Sequence, residues 1–207
     1  MIEVATPYGP AGLDVDRPGC APLSLLVLGH GAGGGIGAVD LVAVRDAAVA
    51  AGVTVARVTQ PYRVAGRRAP APAAQLDRVY VAVVTALRDL VPDAVPLVVG
   101  GRSSGARVAC RTAAELGAAG VLALAFPLHP PGKPDRSRAG ELPTELPTLV
   151  VNGDRDPFGV PPASGAAEVR VLPGETHDLR RDPAAAAAVA VDWLARHGWA
   201  AASPGAE

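Results

Sequence analysis

The stretch VVGGRSSGARVA, Val98–Ala109, joins an apolar run to a helical pattern through a turn of glycine and serine. Gly101, Ser103 and Gly105 form the pattern G-x-S-x-G. Between a strand and a helix, this pattern is typical of a nucleophile elbow, a sharp turn that lifts a serine hydroxyl above a sheet. The alternative is a tight strand–helix turn without chemistry. The stretch predicts a strand, a helix and a reactive serine, Ser103.

Short runs rich in valine and leucine lie along the chain on both sides of this turn. They span Leu23–Gly29, Val53–Thr59, Pro96–Gly101, Val121–Phe126, Pro147–Gly153 and Glu168–Gly174. Most are continuous rather than alternating, as expected for strands that are buried on both faces of a parallel sheet. Two weaker strand candidates, Ile2–Ala5 and Leu13–Asp16, precede them.

Helical patterns fill several of the gaps between these runs. They span Asp40–Ala51, Ala73–Val91, Ser104–Leu116 and Pro183–His197. In the second, apolar residues recur at i, i+3 and i+4 and make one face that reaches Leu90. Strands that alternate with helices predict an α/β fold, a doubly wound and mostly parallel sheet with helices on both faces. We expect residues 1–199 to form a single domain and residues 200–207 to form a flexible tail.

The composition argues against several classes of function. The chain has 207 residues with 19 basic and 20 acidic side chains, and this balance does not favour a nucleic-acid or anionic membrane partner. Its cysteines, Cys20 and Cys110, have neither disulfide nor metal-ligand spacing. The first residues lack a signal-peptide pattern, and no apolar run approaches the length of about 18 residues that spans a membrane. We therefore expect a cytoplasmic protein with no membrane partner, no metal and no cofactor.

A serine nucleophile needs a base, and the base needs an acid that orients it. The stretch NGDRDPFG (Asn152–Gly159) follows an apolar run, so its two carboxylates lie at the carboxyl edge of the predicted sheet. Asp156, three residues beyond Gly153, has the usual position of the acid, and Asp154 is the substitute candidate. The alternative is a turn in which these carboxylates bind their own backbone.

The base must be one of four histidines. His177, in the stretch LPGETHDL (Leu172–Leu179), follows the last apolar run and precedes the last helical pattern. His30 lies in an early loop, His129 precedes the acid, and His197 ends a helical pattern. Only His177 therefore meets both the order serine, acid, histidine and the position at the sheet edge. The alternative is a solvated loop histidine.

The glycine-rich stretch LLVLGHGAGGG (Leu25–Gly35) has two interpretations. Its glycines fit G-x-G-x-x-G, which binds a dinucleotide when an acid follows about 20 residues later. The second run, VTVARVTQPY, ends without such an acid. The glycines also fit a loop that presents a backbone N–H to an oxyanion, and Ala32 is then the donor. Ser104, which follows the predicted nucleophile, is the second donor.

Several stretches together carry a family resemblance. They are GHGAGGG (Gly29–Gly35), QPYRVAGRRAP (Gln60–Pro70), GGRSSGARVA (Gly100–Ala109), FPLHPPGKP (Phe126–Pro134), NGDRDPFG (Asn152–Gly159) and HDL (His177–Leu179). The chain resembles the α/β-hydrolase superfamily. More narrowly, it is similar to the small branch that contains testis-expressed protein 30 and the hydrolase-like part of non-specific-lethal complex subunit 3. FPLHPPGKP is the stretch that points to this branch.

The resemblance implies roles for the same residues. Ser103 would be the nucleophile, Asp156 the acid and His177 the base, while the N–H groups of Ala32 and Ser104 would form the oxyanion hole. Ser104 departs from the branch, which often has methionine at that position. The resemblance brings no defined substrate, and some relatives serve as scaffolds.

Two functions of different class follow from these residues. The favoured hypothesis is a serine hydrolase, an esterase or thioesterase, that acts on a small-molecule acyl substrate. The alternative is a catalytically idle protein-interaction module with the same fold. A dinucleotide-dependent oxidoreductase has less support, because the acid that it needs is missing.

The loop after the fourth run limits the size of any lid. Pro127–Leu146 has about 20 residues, too few for a cap domain, so we expect an open site with a minimal lid or none. The stretch YRVAGRR follows the second run, and we expect it to bring Arg63, Arg67 and Arg68 near the rim of the site. These arginines are candidates for binding an acidic group of the substrate. The alternative is a solvated arginine-rich loop.

Overall fold

The computed structural model describes residues 1–88 and 95–202. Within these ranges the chain forms eight strands: β1 (Ile2–Val4), β2 (Ala11–Asp16), β3 (Ser24–Gly29), β4 (Val53–Thr59), β5 (Leu97–Arg102), β6 (Gly120–Leu124), β7 (Thr148–Gly153) and β8 (Ala167–Leu172). They make one sheet in the order β1-β2-β4-β3-β5-β6-β7-β8. β4, β3 and β5 to β8 are parallel, whereas β1 and β2 pair antiparallel at one edge. The predicted mostly parallel sheet is confirmed, with strand ends shifted by one or two residues.

The same ranges contain five α-helices: α1 (Val39–Ala50), α2 (Pro61–Val64), α3 (Ala73–Arg88), α4 (Ser104–Thr112) and α5 (Pro183–Arg196). The four predicted helices form, although α4 ends before the predicted Leu116. Sequence reasoning missed α2, because a single turn is too short to show a hydrophobic period. Leu90, assigned to the apolar face of α3, lies outside the described residues.

Helices cover both faces of the sheet, which explains the continuous apolar runs. Along β3, Leu25 and Val27 belong to the core that includes α3 and α4, whereas Leu26 and Leu28 belong to the core that includes α1 and α5. Successive side chains of a strand point to opposite faces. Every side chain of β3 is therefore buried, and an alternating polar pattern has no place in it.

The sheet reverses its winding direction beside β3. The chain runs from β3 to β4 on one side and then crosses to β5 on the other side. In open α/β sheets, the crevice at such a switch point, beyond the carboxyl ends of the strands, is where ligands bind. The glycine-rich loop after β3 and the serine turn after β5 meet at this crevice.

The segment between β6 and β7 contains one short 3₁₀ turn, Ala139–Glu141, and no cap domain.

Residues 200–207 were expected to form a flexible tail. Ala200 is buried, and the N–H of Ala201 donates to the carbonyl of Ala51 at 2.8 Å. These first residues of the expected tail are thus packed on the domain, while residues 203–207 lie outside the described part. Among the described residues, no helix has the length and apolarity needed to cross a membrane.

Candidate active site

Ser103 occupies a sharp turn between β5 and α4. Its backbone has φ 53° and ψ −109°, a region that residues with a side chain seldom adopt. The N–H of Ser103 donates to the carbonyl of Leu124, the last residue of β6, at 2.9 Å. Strained backbone of this kind persists where neighbouring structure imposes it, and it is found mainly at functional sites. The turn holds the side chain of Ser103 beyond the edge of the sheet.

The two glycines of the serine turn are required by close backbone packing. A Cβ on Gly101 or on Gly105 would collide with the carbonyl oxygen of Gly29 in β3. Glycine therefore lets the first turn of α4 lie directly against β3. This contact fixes the height of Ser103 relative to the loop that follows Gly29.

The structure brings Ser103, His177 and Asp156 together. The Nε2 atom of His177 lies 2.8 Å from Oγ of Ser103, and its Nδ1 atom lies 2.8 Å from Oδ2 of Asp156. The side chain of Asp156 is fully buried, and its Oδ1 accepts the N–H of Phe158 at 2.8 Å. A hydroxyl, an imidazole and a buried carboxylate in this series can activate the hydroxyl as a nucleophile.

The two carboxylates of the NGDRDPFG stretch have different surroundings. Oδ1 of Asp154 accepts the N–H of Gly174 at 2.7 Å on the exposed side of the loop. Asp156 instead turns inward, where the amide of Asn152 lies 3.3 Å from its Oδ2. Of the two candidate acids, the structure places Asp156 against His177.

The loop that carries His177 is held by contacts that sequence reasoning did not foresee. Nη2 of Arg102 donates to the carbonyl of His177 at 3.1 Å, and Nε of the same guanidinium lies 2.9 Å from the buried carboxylate of Asp40. The ring of Phe158 packs on the imidazole, with centroids 4.2 Å apart. A Cβ on Gly153 would collide with the backbone of Glu175, so glycine is needed where the two loops cross.

The loop after β3 is braced by two side chains. The hydroxyl of Tyr62 donates to the carbonyl of Ala32 at 2.8 Å. The ring of His30 accepts the N–H of Gln60 at Nε2, 3.1 Å away, and its Nδ1 lies 2.8 Å from the carbonyl of Gly31. Burial lowers the pKa of His30 from its ordinary value, so the imidazole stays neutral and keeps this pairing. Tyr62 and His30 hold the loop in place from behind.

The predicted oxyanion donors lie beside the nucleophile. Ala32, Ser103 and Ser104 line one cavity of about 240 Å³. Ser104 is the first residue of α4, and the first N–H groups of a helix have no acceptor within it. The backbone of both predicted donors thus borders the same cavity as the side chain of Ser103.

The arginines on the walls of this cavity differ from those predicted. Arg107, Arg111 and Arg138 line it, whereas the predicted rim residues Arg63, Arg67 and Arg68 do not. The Arg63 guanidinium instead donates to the carbonyl of Arg67 at 3.2 Å. No short motif marks the three lining arginines, because they come from α4 and from the loop after β6. These three arginines come together at the cavity because that loop packs on α4.

Among the described residues, no group of three or more His, Cys, Asp or Glu side chains is arranged to hold a metal ion.

Comparison with known proteins shows the family of this chain. Residues 22–184 match the family described as alpha/beta hydrolase domain. No curated protein matches the sequence.

Solved structures with the same fold come from several bacteria. An α/β serine hydrolase without lid from Xanthomonas campestris is 21% identical, with a TM-score of 0.76, over 98% of this chain and 95% of that one. An alpha-beta serine hydrolase homologue from Coxiella burnetii is 18% identical, with a TM-score of 0.75, over 91% and 95%. Dienelactone hydrolase from Anabaena variabilis is 18% identical, with a TM-score of 0.74, over 94% and 95%. At these identities the likeness concerns the fold, and it confirms the predicted α/β-hydrolase architecture.

Proposed function

Because this chain belongs to the alpha/beta hydrolase domain family, we propose that it is a serine hydrolase that cleaves a small ester, thioester or similar acyl compound. The observation that carries the proposal is the series Ser103–His177–Asp156, with both hydrogen-bonding distances at 2.8 Å. These residues come from three separate loops. A protein that serves only as a scaffold does not require these three side chains to lie in hydrogen-bonding contact beside a cavity.

Each group has a role that follows from its position. Oγ of Ser103 attacks the acyl carbon while Nε2 of His177 takes its proton. The carboxylate of Asp156 keeps the proton of the imidazole on Nδ1, so that Nε2 is free to act as base. The N–H groups of Ala32 and Ser104 meet the oxyanion of the tetrahedral intermediate. His177 then gives this proton to the leaving group. In the second half of the reaction, His177 takes a proton from water as the water oxygen attacks the acyl carbon, and it returns the proton to Oγ of Ser103 as the acid departs.

The cavity favours small substrates. Its volume of about 240 Å³ is below the range of about 300 to 1,000 Å³ that is common for ligand sites. The loop after β6 forms one wall through Pro127 and Pro131, and no cap domain closes the site. A short acyl compound fits such an open cavity better than a lipid chain does.

The first test is covalent labelling. The protein is incubated with a small fluorophosphonate, and its intact mass is measured. We expect one adduct in the wild type and in Ser104→Ala, and none in Ser103→Ala. Ser104 is the matched control because it is the adjacent serine with the same side chain.

A folded wild-type protein that takes up no adduct would contradict the hydrolase proposal. An adduct that persists in Ser103→Ala would contradict the choice of nucleophile. The idle interaction module would then be the better hypothesis in the first case, and Ser104 the better nucleophile in the second.

Three finer assignments also remain proposals. The resemblance to the branch of testis-expressed protein 30 rests on the stretch FPLHPPGKP, Phe126–Pro134. The cytoplasmic location rests on the cysteines, Cys20 and Cys110, because they lack the spacing of a disulfide framework. The small-molecule partner rests on the size and openness of the cavity.

A further inference from the structure

A cluster of three arginines lies on the wall of the Ser103 cavity. Arg107 and Arg111 project from α4, and Arg138 comes from the loop between β6 and β7. All three line the same cavity as Ser103. Guanidinium groups placed this close to one another repel unless anions separate them.

Arg107 and Arg111 already have carboxylate partners. Nε of Arg107 donates to Glu141 at 2.7 Å, and Nη2 of the same guanidinium contacts the second oxygen of that carboxylate. Arg111 forms two hydrogen bonds with Asp77, at 2.9 and 2.6 Å, and a third with Glu141 at 3.0 Å. These forked pairs link α3, α4 and the loop after β6.

Arg138 has no such partner. In the part of the chain that the structure describes, no carboxylate forms an ion pair with it. Its one side-chain hydrogen bond is long, 3.4 Å from Nη1 to the carbonyl of Pro127. Burial and then the charge of Arg107 lower the pKa of Arg138, the carboxylate of Glu141 acts in the opposite direction, and the guanidinium stays protonated. Arg138 thus lies half-buried, close enough to feel the charges of Arg107 and Glu141 but not in contact with a carboxylate.

The charge balance of the cluster leaves one positive charge over. The three guanidinium groups, Arg107, Arg111 and Arg138, meet two carboxylates, those of Asp77 and Glu141. The unpaired positive charge is that of Arg138, whose guanidinium uses one N–H group in a side-chain hydrogen bond. It lies in the cavity where the substrate of Ser103 would bind.

We infer that the acyl substrate carries one carboxylate and that Arg138 binds it. This inference rests on the proposed function and names the class of its substrate. A planar guanidinium pairs with a carboxylate through two parallel hydrogen bonds, and an open fork is what such a pair requires. A single negative charge matches the surplus of one, whereas a phosphate dianion would exceed it. Arg138 therefore takes the role that sequence reasoning gave to Arg63, Arg67 and Arg68.

The test compares esters that differ only in charge. Ethyl hydrogen succinate carries a carboxylate in its acyl part, and ethyl 4-oxopentanoate replaces it with a methyl ketone of the same shape. Acetoxyacetate and acetoxyacetone form the equivalent pair with the charge in the alcohol part. Hydrolysis is followed in a pH-stat, and kcat/KM is compared within each pair. We expect the anionic ester of at least one pair to be preferred about 10-fold or more, as a charged hydrogen bond provides.

Variants then assign this preference to one residue. In Arg138→Gln the ratio of kcat/KM for the anionic ester to that for the neutral ester should fall about 10-fold or more. Arg136→Gln is the matched control, because it removes an arginine from an exposed position of the same loop. Its ratio should equal that of the wild type. The inference would be overturned if the wild type preferred the anionic ester in neither pair. It would also be overturned if the kcat/KM ratio fell as much in Arg136→Gln as in Arg138→Gln.

A binding measurement separates this inference from the proposed function. The Ser103→Ala protein is titrated with ethyl hydrogen succinate and with ethyl 4-oxopentanoate in a calorimeter, so that no turnover is needed. We expect tighter binding of the anion by about 10-fold, lost when Arg138→Gln is added. If no ester is hydrolysed but this difference is found, the hydrolase proposal fails and the anion site stands. If esters are hydrolysed but both ligands bind Ser103→Ala equally, the anion site fails alone.

Discussion

Two aspartates that stand two positions apart in the chain illustrate how the fold assigns chemistry to single side chains. Asp154 binds the backbone of Gly174 on the exposed side of its loop, and Asp156 is buried against His177. Their carboxylates have the same intrinsic acidity and reach. The difference in their partners comes from the direction in which the turn after β7 points each of them.

Replacing each aspartate with asparagine tests that difference. Asp156→Asn should lower kcat by about 10⁴-fold, because an amide stabilises the wrong tautomer of His177 while the geometry is kept. Asp154→Asn keeps an oxygen that can accept the N–H of Gly174, so its kcat should stay close to that of the wild type. The measurement is steady-state hydrolysis of the ester that proves the best substrate. Comparable losses in both variants would argue against Asp156 as the orienting acid.

The surroundings of His30 decide its protonation. Burial, and to a smaller extent the charge of Arg63, lowers the pKa of His30, while the carbonyl of Gly31 acts in the opposite direction. The unfolded chain takes up a proton as the pH falls through the ordinary value of 6.5, before the folded protein does. The contribution of neutral His30 to the free energy of unfolding is therefore fully present above pH 6.5, and it is lost as the pH falls below this value.

We expect the free energy of unfolding to fall as the pH is lowered from 7 to 5, with His30 contributing at most about 1.4 kcal/mol per pH unit. His30→Gln should reduce this slope, because the variant has no group that titrates there. Urea unfolding at three pH values measures both slopes. The same slope in the variant and the wild type would show that His30 is not responsible.

The packing of α4 on β3 shows how a contact between elements overrides local preference. In a free helix, alanine in place of glycine adds stability of up to about 1 kcal/mol. Gly105 lies in α4, yet a Cβ there would collide with the backbone of Gly29. Helix propensity alone thus predicts the wrong sign for a substitution at this position.

We expect Gly105→Ala to destabilise the protein by about 1–3 kcal/mol, the cost of forcing extra volume into a packed contact. The shift of α4 should also slow fluorophosphonate labelling of Ser103, since the serine turn moves with it. Gly19→Ala is the matched control, because a Cβ at Gly19 meets no atom within 4 Å. Chemical unfolding and labelling rates are the measurements. A Gly105→Ala protein as stable as the wild type would contradict the close contact.

The residues that follow α5 connect distant parts of the domain. The ring of Trp199 stands over Gly120 at the start of β6, where a Cβ would meet it at 2.6 Å. The hydroxyl of Ser24 donates to the carbonyl of Trp199 at 2.6 Å, and the N–H of Ala201 binds Ala51. The segment thereby ties the beginnings of β3 and β6 to the end of α1.

We expect Trp199→Ala to lower the free energy of unfolding by about 3–5 kcal/mol, as is usual when a large buried aromatic side chain is removed. Trp199→Phe should cost less, because most of the ring packing on Gly120 remains. Denaturant unfolding followed by circular dichroism measures both without relying on tryptophan fluorescence. A Trp199→Ala protein as stable as the wild type would indicate that the segment does not contribute to the fold.

The alternation of apolar runs and helical patterns was sufficient to predict the fold, because burial on both faces of a parallel sheet imposes it on neighbouring residues. The same holds for the serine turn: glycine, serine and glycine at fixed spacing follow from one local backbone geometry. The chain order of Ser103, Asp156 and His177 predicted which side chains would meet at one edge of the sheet. The structure brings these three within hydrogen-bonding distance, and their catalytic roles stay a proposal.

Other features are decided by distances between residues remote in sequence, which no local pattern encodes. Tyr62 reaches the carbonyl of Ala32 only because α2 packs behind the loop after β3. Arg138 lines the Ser103 cavity only because its loop folds back onto α4. The position of YRVAGRR after the second apolar run had made Arg63, Arg67 and Arg68 the candidates. Which charges remain unpaired depends on every partner within a few ångströms, and only the folded chain brings those partners together.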